Sequence, residues 1–177
     1  MKAILIYFLV CSIAGFAQSS TTVFDVARSG TVKEIKALYK TNPKSIVEVN
    51  KEGFSPLILA AYKGNTEVVE FLINNGADCN GNSKMGTPLM AAVVKGNTKI
   101  VQLLLNKKVN LNATDGNGTT ALIYATMFRY YDIIKALVKA GADVELKDNR
   151  KNGAVDYAIL ANDDKMMELL KIKTNKN

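Results

Sequence analysis

Few residues of this chain have types and spacings that could do chemistry. The chain has no histidine, which is the commonest general base and a frequent metal ligand. Its absence excludes Ser-His and Cys-His nucleophile pairs and the usual zinc sites. The remaining candidates are Cys79, the carboxylate pair Asp163 and Asp164, and the Asp-Gly-Asn-Gly stretch that begins at Asp115.

Each of these candidates has a simpler structural interpretation. Side chains of adjacent residues diverge by about 100° on a helix, and Asp163 and Asp164 fall where a helix should begin, which favours capping. The stretch at Asp115 has no ligand series closed by a glutamate, as a calcium loop requires, so it predicts a hairpin turn. Cys79 is expected to be a packed side chain. We therefore expect no enzyme activity, no metal and no cofactor.

The composition is that of one folded domain. With 177 residues, 48% of them apolar and 22% charged, the chain can bury a core and does not have a disordered composition. The formal charge of +7 is scattered along the chain rather than gathered in a run. Such an excess is usually a solvated face, and less often a surface that attracts an acidic partner.

The N-terminal segment 1–17 is typical of an export signal. Lys2 precedes an apolar run over residues 3–16. Gly15 and Ala17 then place small residues where a signal peptidase cleaves. The run is shorter than the roughly 18–20 residues that cross a bilayer, so we expect cleavage after about Ala17 and no transmembrane segment afterwards. Loss of one lysine leaves a charge of +6, Cys79 has no disulfide partner, and the mature chain is expected in the periplasm or outside the cell.

Beyond residue 21 the sequence repeats itself. The segment Ser55-Pro56-Leu57 returns as Thr87-Pro88-Leu89, again as Thr120-Ala121-Leu122, and more faintly as Gly153-Ala154-Val155. The middle positions of these segments lie about 33 residues apart, a period at which repeat architectures are found. A fixed period of this size indicates stacked units, none of which can bury its apolar face alone.

Each unit is predicted to be two helices and a turn. Proline after a hydroxyl residue, as in Ser55-Pro56, favours a helix start. Gly64 should end this helix in the left-handed conformation. The Asn-, Gly- and Ser-rich residues 78–85 predict the turn. Between them a second helix, which stops near Gly76, carries four apolar residues at helical spacing: Val68, Val69, Leu72 and Ile73.

The unit resembles the ankyrin repeat, whose signature includes T-P-L-H-x-A over about 33 residues. The motifs that carry the resemblance are SPLILAA, GNTEVVEFLINNGADCN and TPLMAA. It covers the domain 18–177 apart from its two ends and implies an all-α solenoid of antiparallel helix pairs with β-hairpin-like turns. The implied divisions are an N-terminal capping repeat, three full repeats, a C-terminal capping helix pair and a short tail: 21–51, 52–84, 85–117, 118–150, 151–172 and 173–177.

Several positions depart from the family's pattern. The glycine before the hairpin is Lys108 in the second repeat, and the glycine between the two helices is Arg129 in the third. We therefore expect the later repeats to be less regular and locally weaker. The histidine after T-P-L, with its usual hydrogen bonds, is missing at each of four positions: Ile58, Met90, Ile123 and Asp156.

The resemblance also implies a binding surface. Ankyrin proteins commonly bind partners along a concave groove of inner helices and hairpin tips. The helix positions carried over are Tyr62, Lys63, Val94, Lys95, Met127, Phe128 and Leu160. The hairpin positions are Lys51, Phe54, Lys84, Met85, Asn117, Asn149 and Arg150. The early positions are rich in lysine, whereas Met127, Phe128 and Leu160 form an apolar stripe in the later ones.

One stretch stands apart, because the third repeat reads Phe128-Arg129-Tyr130-Tyr131 where the earlier repeats read Lys-Gly-Asn-Thr. We expect Phe128 to contact a partner and Arg129 to strain or change the backbone of the turn. Whether Tyr130 and Tyr131 bind or pack stays open at this point. Ile133 and Ile134, which follow, are expected in the core.

Three functions are consistent with this pattern. The leading hypothesis is a non-catalytic, exported and monomeric module that holds one protein partner with an acidic and apolar face. A second is an electrostatic binder of an anionic polymer or a membrane surface, whose affinity would fall steeply with salt. A third is an inhibitor or protective protein for an exported enzyme or toxin. Nucleic acid is not an expected partner.

Overall fold

The fold is known from a computed structural model that describes residues 21–171. Over this range the chain forms ten α-helices and one 3₁₀ turn, Pro43–Val47. The predicted leader, residues 1–17, and the tail, residues 173–177, lie outside the described residues. The helices are α1 Val23–Ser29, α2 Val32–Thr41, α3 Pro56–Lys63, α4 Thr66–Asn74, α5 Pro88–Val94, α6 Thr98–Leu105, α7 Ala121–Met127, α8 Tyr131–Ala140, α9 Ala154–Leu160 and α10 Asp164–Lys171.

The helices stack in two rows. The first helix of each pair packs on the first helix of the next, from α1 through α3, α5 and α7 to α9. The second helices, from α2 to α10, form the other row in the same way. This arrangement confirms an all-α solenoid of ankyrin-type repeats. No helix within residues 21–171 is long and apolar enough to span a membrane.

Hydroxyl side chains start the inner helices. The hydroxyl oxygen of Ser55 accepts a hydrogen bond from the backbone N–H of Ile58 at 3.2 Å, and Thr87 and Thr120 make the same contact at 3.3 and 3.2 Å. Gly153 has no side chain for this role. There the Asp156 carboxylate reaches back and accepts from the Gly153 N–H at 2.8 Å, which satisfies the helix end from inside the first turn.

The core lies between the two rows and runs the length of the stack. Leu57, Leu89 and Leu122, which share one position of the repeat, are at most 1% exposed. Small residues beside them, such as Ala60 and Ala92, let neighbouring inner helices approach closely. The family's histidine position is filled by side chains that are almost fully buried, namely Ile58, Met90 and Ile123. The apolar residues predicted on α4 are buried too, as are Ile133 and Ile134.

From α3 onward, the turns between paired helices keep one backbone geometry whatever residue they carry. Gly64 and Gly96 have φ of 77° and 65°, and Arg129 and Asn162 adopt the same left-handed region at 57° and 48°. The N–H of Arg129 donates to the carbonyl of Thr126 at 3.0 Å, as that of Gly96 does in its own turn at 2.8 Å. The expectation of less regular later turns is therefore wrong at Arg129. The replacement brings backbone strain without a change of shape.

Side chains also tie each repeat to the next. The Asn65 amide donates to the carbonyl of Gly30 at 2.8 Å. Asn80 and Asn112 play the opposite part, since their side-chain oxygens accept from the N–H groups of Asn110 and Asp143 at 2.7 and 2.9 Å. These contacts occupy backbone groups at the edges of the stack that would otherwise depend on water.

The strain at Lys108 gives a direct stability prediction. Lys108 is exposed and has φ of 51°, where the corresponding turns carry Gly76 at 89° and Gly141 at 101°. A residue other than glycine pays about 1–2 kcal/mol for this conformation. Glycine removes this cost, but it loses more backbone entropy on folding, so the net gain is smaller. We expect Lys108→Gly to raise the free energy of unfolding by about 0.5–1 kcal/mol in urea titrations. The matched change Lys107→Gly, at a residue without positive φ, should lower it, and a gain in both variants would contradict the argument.

Candidate binding groove

An apolar pocket of about 360 Å³ lies along the inner helices of the first two full repeats. Two hairpins and four helices build it. Phe54 is held by its hairpin, where the Asn50 side-chain oxygen accepts its N–H at 2.8 Å, and Met85 is held by Ser83 in the same way at 3.2 Å. We call this the apolar pocket, with the lining residues Arg28, Phe54, Ile58, Leu59, Tyr62, Lys63, Met85, Ala91, Val94 and Tyr124.

The charges around the apolar pocket are positive. Arg28 and Lys63 line it, and its lining contains no acidic residue. Lys95 stands next to it, with its ammonium nitrogen 4.6 Å from the centre of the Tyr62 ring, which is a cation–π distance. Arg28 is partly compensated by Asp25 at 4.0 Å across an exposed pair, and such pairs are weak.

A second pocket, of about 190 Å³, lies beside the last two hairpins and is lined mostly by polar residues. At its edge Asp148 is almost fully buried. One of its oxygens accepts from the N–H groups of Arg150 and Asn152 at 2.8 and 3.1 Å, and the other accepts from the hydroxyl of Tyr157. Burial alone would raise the pKa of Asp148, but these hydrogen bonds together hold the pKa below its usual 3.8. This polar pocket is lined by Asn117, Thr119, Tyr124, Met127, Asp148, Asn149, Arg150 and Tyr157.

Tyr124 lines both pockets, so the two pockets are adjacent along the inner helices. Its hydroxyl donates to Asp115 at 2.6 Å, and Asp115 in turn accepts from the N–H groups of Asn117 and Thr119 at 2.8 and 2.9 Å. Burial, and after it the hydrogen bond to Asp115, raises the pKa of Tyr124 to about 12. The ring stacks on Phe128 with centroids 6.2 Å apart. The wall between the pockets is therefore a rigid, neutral phenol at any physiological pH.

The unusual stretch of the third repeat mostly packs. Phe128 lies between Tyr124 and Tyr130, 5.7 Å from the latter, and is still 43% exposed. Tyr130 covers Gly96. If Gly96 carried a Cβ, that atom would lie 3.0 Å from the ring of Tyr130. The hydroxyl of Tyr131 donates to Asp163 at 2.8 Å. This hydrogen bond is the first cause that raises the pKa of Tyr131.

The predicted binding residues divide into three groups. The apolar pocket brings together Phe54, Tyr62, Lys63, Met85 and Val94, and Lys95 adjoins it. The polar pocket brings together Asn117, Met127, Asn149 and Arg150. Three residues lie outside both pockets and are exposed, namely Lys51, Lys84 and Leu160, and Phe128 flanks Tyr124 at the boundary. The role of all fourteen in binding stays a prediction.

The sequence reasoning missed one row of residues that line the two pockets. Leu59, Ala91, Tyr124 and Tyr157 occupy the x of the T-P-L-H-x-A pattern in four successive inner helices, and each of them lines a pocket. They recur with the same period as the helix starts, so the repeat itself carried the signal. Arg28 of α1 was missed as well, although it stands two residues before Gly30, as Tyr62 stands two residues before Gly64.

The three chemical candidates of the sequence have structural roles. Cys79 is half-buried against the core, and burial raises the pKa of its thiol, which makes it a poor nucleophile at neutral pH. Asp163 accepts from the N–H of Met166 at 3.0 Å at the start of α10, as a cap does. Asp115 organises its hairpin. No group of three or more metal-ligand side chains is found in the part of the chain that the structure describes.

Comparisons with known proteins agree with this geometry. The family model described as ankyrin repeats (3 copies) matches residues 4–83 and 81–148. The first range begins within the predicted leader and does not test it. The ankyrin repeat and SAM domain-containing protein 6 of Rattus norvegicus is 30% identical over 141 residues, which is 80% of this chain and 12% of that protein. The corresponding protein of Mus musculus is 31% identical over the same shares.

A viral protein matches a similar span. The putative ankyrin repeat protein FPV014 of Fowlpox virus (strain NVSL) is 32% identical over 149 residues, covering 84% of this chain and 27% of the viral protein. The chain thus spans about an eighth to a quarter of the length of these relatives. The matched family model, the repeat period and the two rows of helices lead to one conclusion: the chain belongs to the ankyrin repeat family.

Proposed function

We propose that the chain is a non-catalytic binding module that holds a protein partner, with an acidic and apolar surface, in the groove formed by the apolar and polar pockets. Ankyrin repeats are generally protein–protein interaction modules. The observation that carries the proposal for this groove is the apolar pocket itself. It leaves Tyr62 and Met85 44% and 70% exposed beside Arg28, on a surface rich in the residue types that dominate interface energetics.

Exposure of these side chains is unfavourable without a partner. Met85 stands at a hairpin tip with most of its side chain in water, and Tyr62 adds an aromatic face beside Lys95. Burying an apolar side chain of this size gains about 1.5–3 kcal/mol relative to leaving it in water. A partner that covers both could therefore obtain a large part of its affinity from two residues.

The test is affinity capture from the cell envelope with the chain from residue 18 onward, which retains every residue of the described fold. A Met85→Glu variant puts a charge at the mouth of the apolar pocket, and Val49→Glu makes the same change at an exposed residue, 65% accessible, outside both pockets. We expect one protein partner to be held by the native chain and by Val49→Glu and to be lost by Met85→Glu. Equal capture by all three would contradict the groove as the binding surface.

The same experiment separates the other two hypotheses. An electrostatic binder of polyanions or membranes would lose capture steeply between low and moderate salt and would be equally sensitive to both new glutamates. If the captured protein is an exported enzyme or toxin, its activity in the complex decides whether the chain inhibits it.

We also propose that the chain is exported. A cytosolic chain that keeps the whole segment 1–17 would contradict that part of the proposal.

A further inference from the structure

The two pockets differ in chemistry, and their order along the stack is fixed. The apolar pocket sits on α3 and α5, and the polar pocket lies between α7 and α9 with Tyr124 shared. Neighbouring packed helices are about 8–10 Å apart, so two steps of the stack separate the pocket centres by roughly 16–20 Å. A ligand long enough to reach both pockets must therefore present its apolar group and its polar group in the same order as the pockets.

The apolar pocket calls for one bulky apolar side chain. Its lining includes five apolar side chains: Phe54, Leu59, Met85, Ala91 and Val94. Since its charged neighbours are Arg28 and Lys63, acidic residues on either side of the apolar one would be attracted and basic residues repelled.

The polar pocket favours a ligand group that accepts hydrogen bonds. Asp148 is almost fully buried and already accepts three hydrogen bonds, so its carboxylate offers little to a ligand, whereas Arg150 is exposed at the pocket lining. Guanidinium groups prefer carboxylates as partners. Asn117 is also exposed there. Its amide can satisfy the backbone groups that an extended chain, unlike a helix, leaves unpaired.

Building on the proposed function, we propose that the partner enters the groove as an extended acidic segment. A bulky aliphatic or aromatic side chain occupies the apolar pocket, and a carboxylate lies at Arg150. At 3.3–3.6 Å per residue, an extended chain covers the separation in about five or six residues. A helix, at 1.5 Å per residue, would need about 11–13.

The test uses a phage-displayed library of random peptides of about fourteen residues, selected on the immobilised chain from residue 18 onward; this length holds both spacings. We expect enriched peptides to share one aliphatic or aromatic residue and an Asp or Glu about five or six positions away. Selection on Arg150→Glu should replace that acid by Lys or Arg and leave the anchor unchanged. The affinity of an original peptide for this variant should fall roughly tenfold in fluorescence polarisation.

The outcomes distinguish this inference from the proposed function. No enrichment, a helical spacing, or a motif unchanged by Arg150→Glu would overturn the extended acidic segment. If capture of a whole partner still depends on Met85 in those cases, the groove remains the binding surface and only the inference is lost. Peptides that bind Met85→Glu and Arg150→Glu as well as they bind the native chain would overturn both.

Discussion

Replacing Leu89 by alanine is expected to remove about 3–4 kcal/mol of the free energy of unfolding, the largest loss we predict for a single residue. Leu89 lies on α5, the central inner helix, and is 1% exposed. Because α5 packs on both α3 and α7, the cavity would weaken the contacts of the second repeat with both of its neighbours. With total stabilities of about 5–15 kcal/mol for ordinary domains, this loss would approach the unfolding threshold.

The measurement is urea unfolding followed by far-UV circular dichroism, with Leu160→Ala as the matched control. Leu160 is 72% exposed at the end of α9, so the same chemical change there should alter stability by no more than about 0.5 kcal/mol. If the Leu89 variant unfolds in two transitions, the stack has separated at the weakened repeat. Equal losses in both variants would show that the core is not where the structure places it.

Replacing Asp148 by alanine is expected to cost about 2–4 kcal/mol. The change removes the acceptors of two backbone N–H groups and of the Tyr157 hydroxyl in one step. Asp148→Asn should cost less, because Asn50 already shows that an amide oxygen can hold such a hairpin through the N–H groups of Glu52 and Phe54. Thermal and urea unfolding of the three proteins at pH 7 checks this order, and an alanine variant as stable as the asparagine variant would contradict it.

The Asp148 carboxylate should also make the stability of the fold depend on pH in the acid range. Its pKa is lower in the folded chain than the usual 3.8, so Asp148 stabilises the fold above that value, and the contribution is lost as the pH falls through the folded pKa. The carboxyls of Asp156 and Asp163 are shifted in the same direction and add to the decline. The native chain should therefore lose stability below about pH 4. Asp148→Asn should lose less over that range than the native chain does.

The periodic features of the sequence predicted the fold well, because they act locally. Ser55-Pro56 and Thr87-Pro88 begin helices as expected, since a hydroxyl cap and a proline need only their own next turn. The left-handed conformation of Gly64 follows from its lack of a side chain. Strain at Lys108 and Arg129 was foreseeable as well. The turn at Arg129 nevertheless keeps its shape, because the helices on either side hold both of its ends.

The groove was predicted less completely, because its chemistry depends on side chains from different repeats. Sequence reasoning placed the apolar part in the later repeats, around Phe128, whereas the larger apolar pocket lies in the earlier ones. Phe54 and Met85 come from different hairpins and meet only across α3 and α5. Phe128 loses part of its exposure to the tyrosines beside it, a contact that periodicity cannot show.

The side chain of Arg129 links the third repeat to the last helix pair. Its guanidinium reaches the carbonyl of Ala161 at 3.4 Å and the carboxylate of Asp163 at 3.9 Å, both in the next helix pair. A glycine in this turn would leave that pair held by helix packing and by the Tyr131 hydroxyl at this edge. Since the Arg129 side chain is 56% exposed, these two contacts add only weak support, and the last helix pair is held to the stack mainly by the packing of its helices.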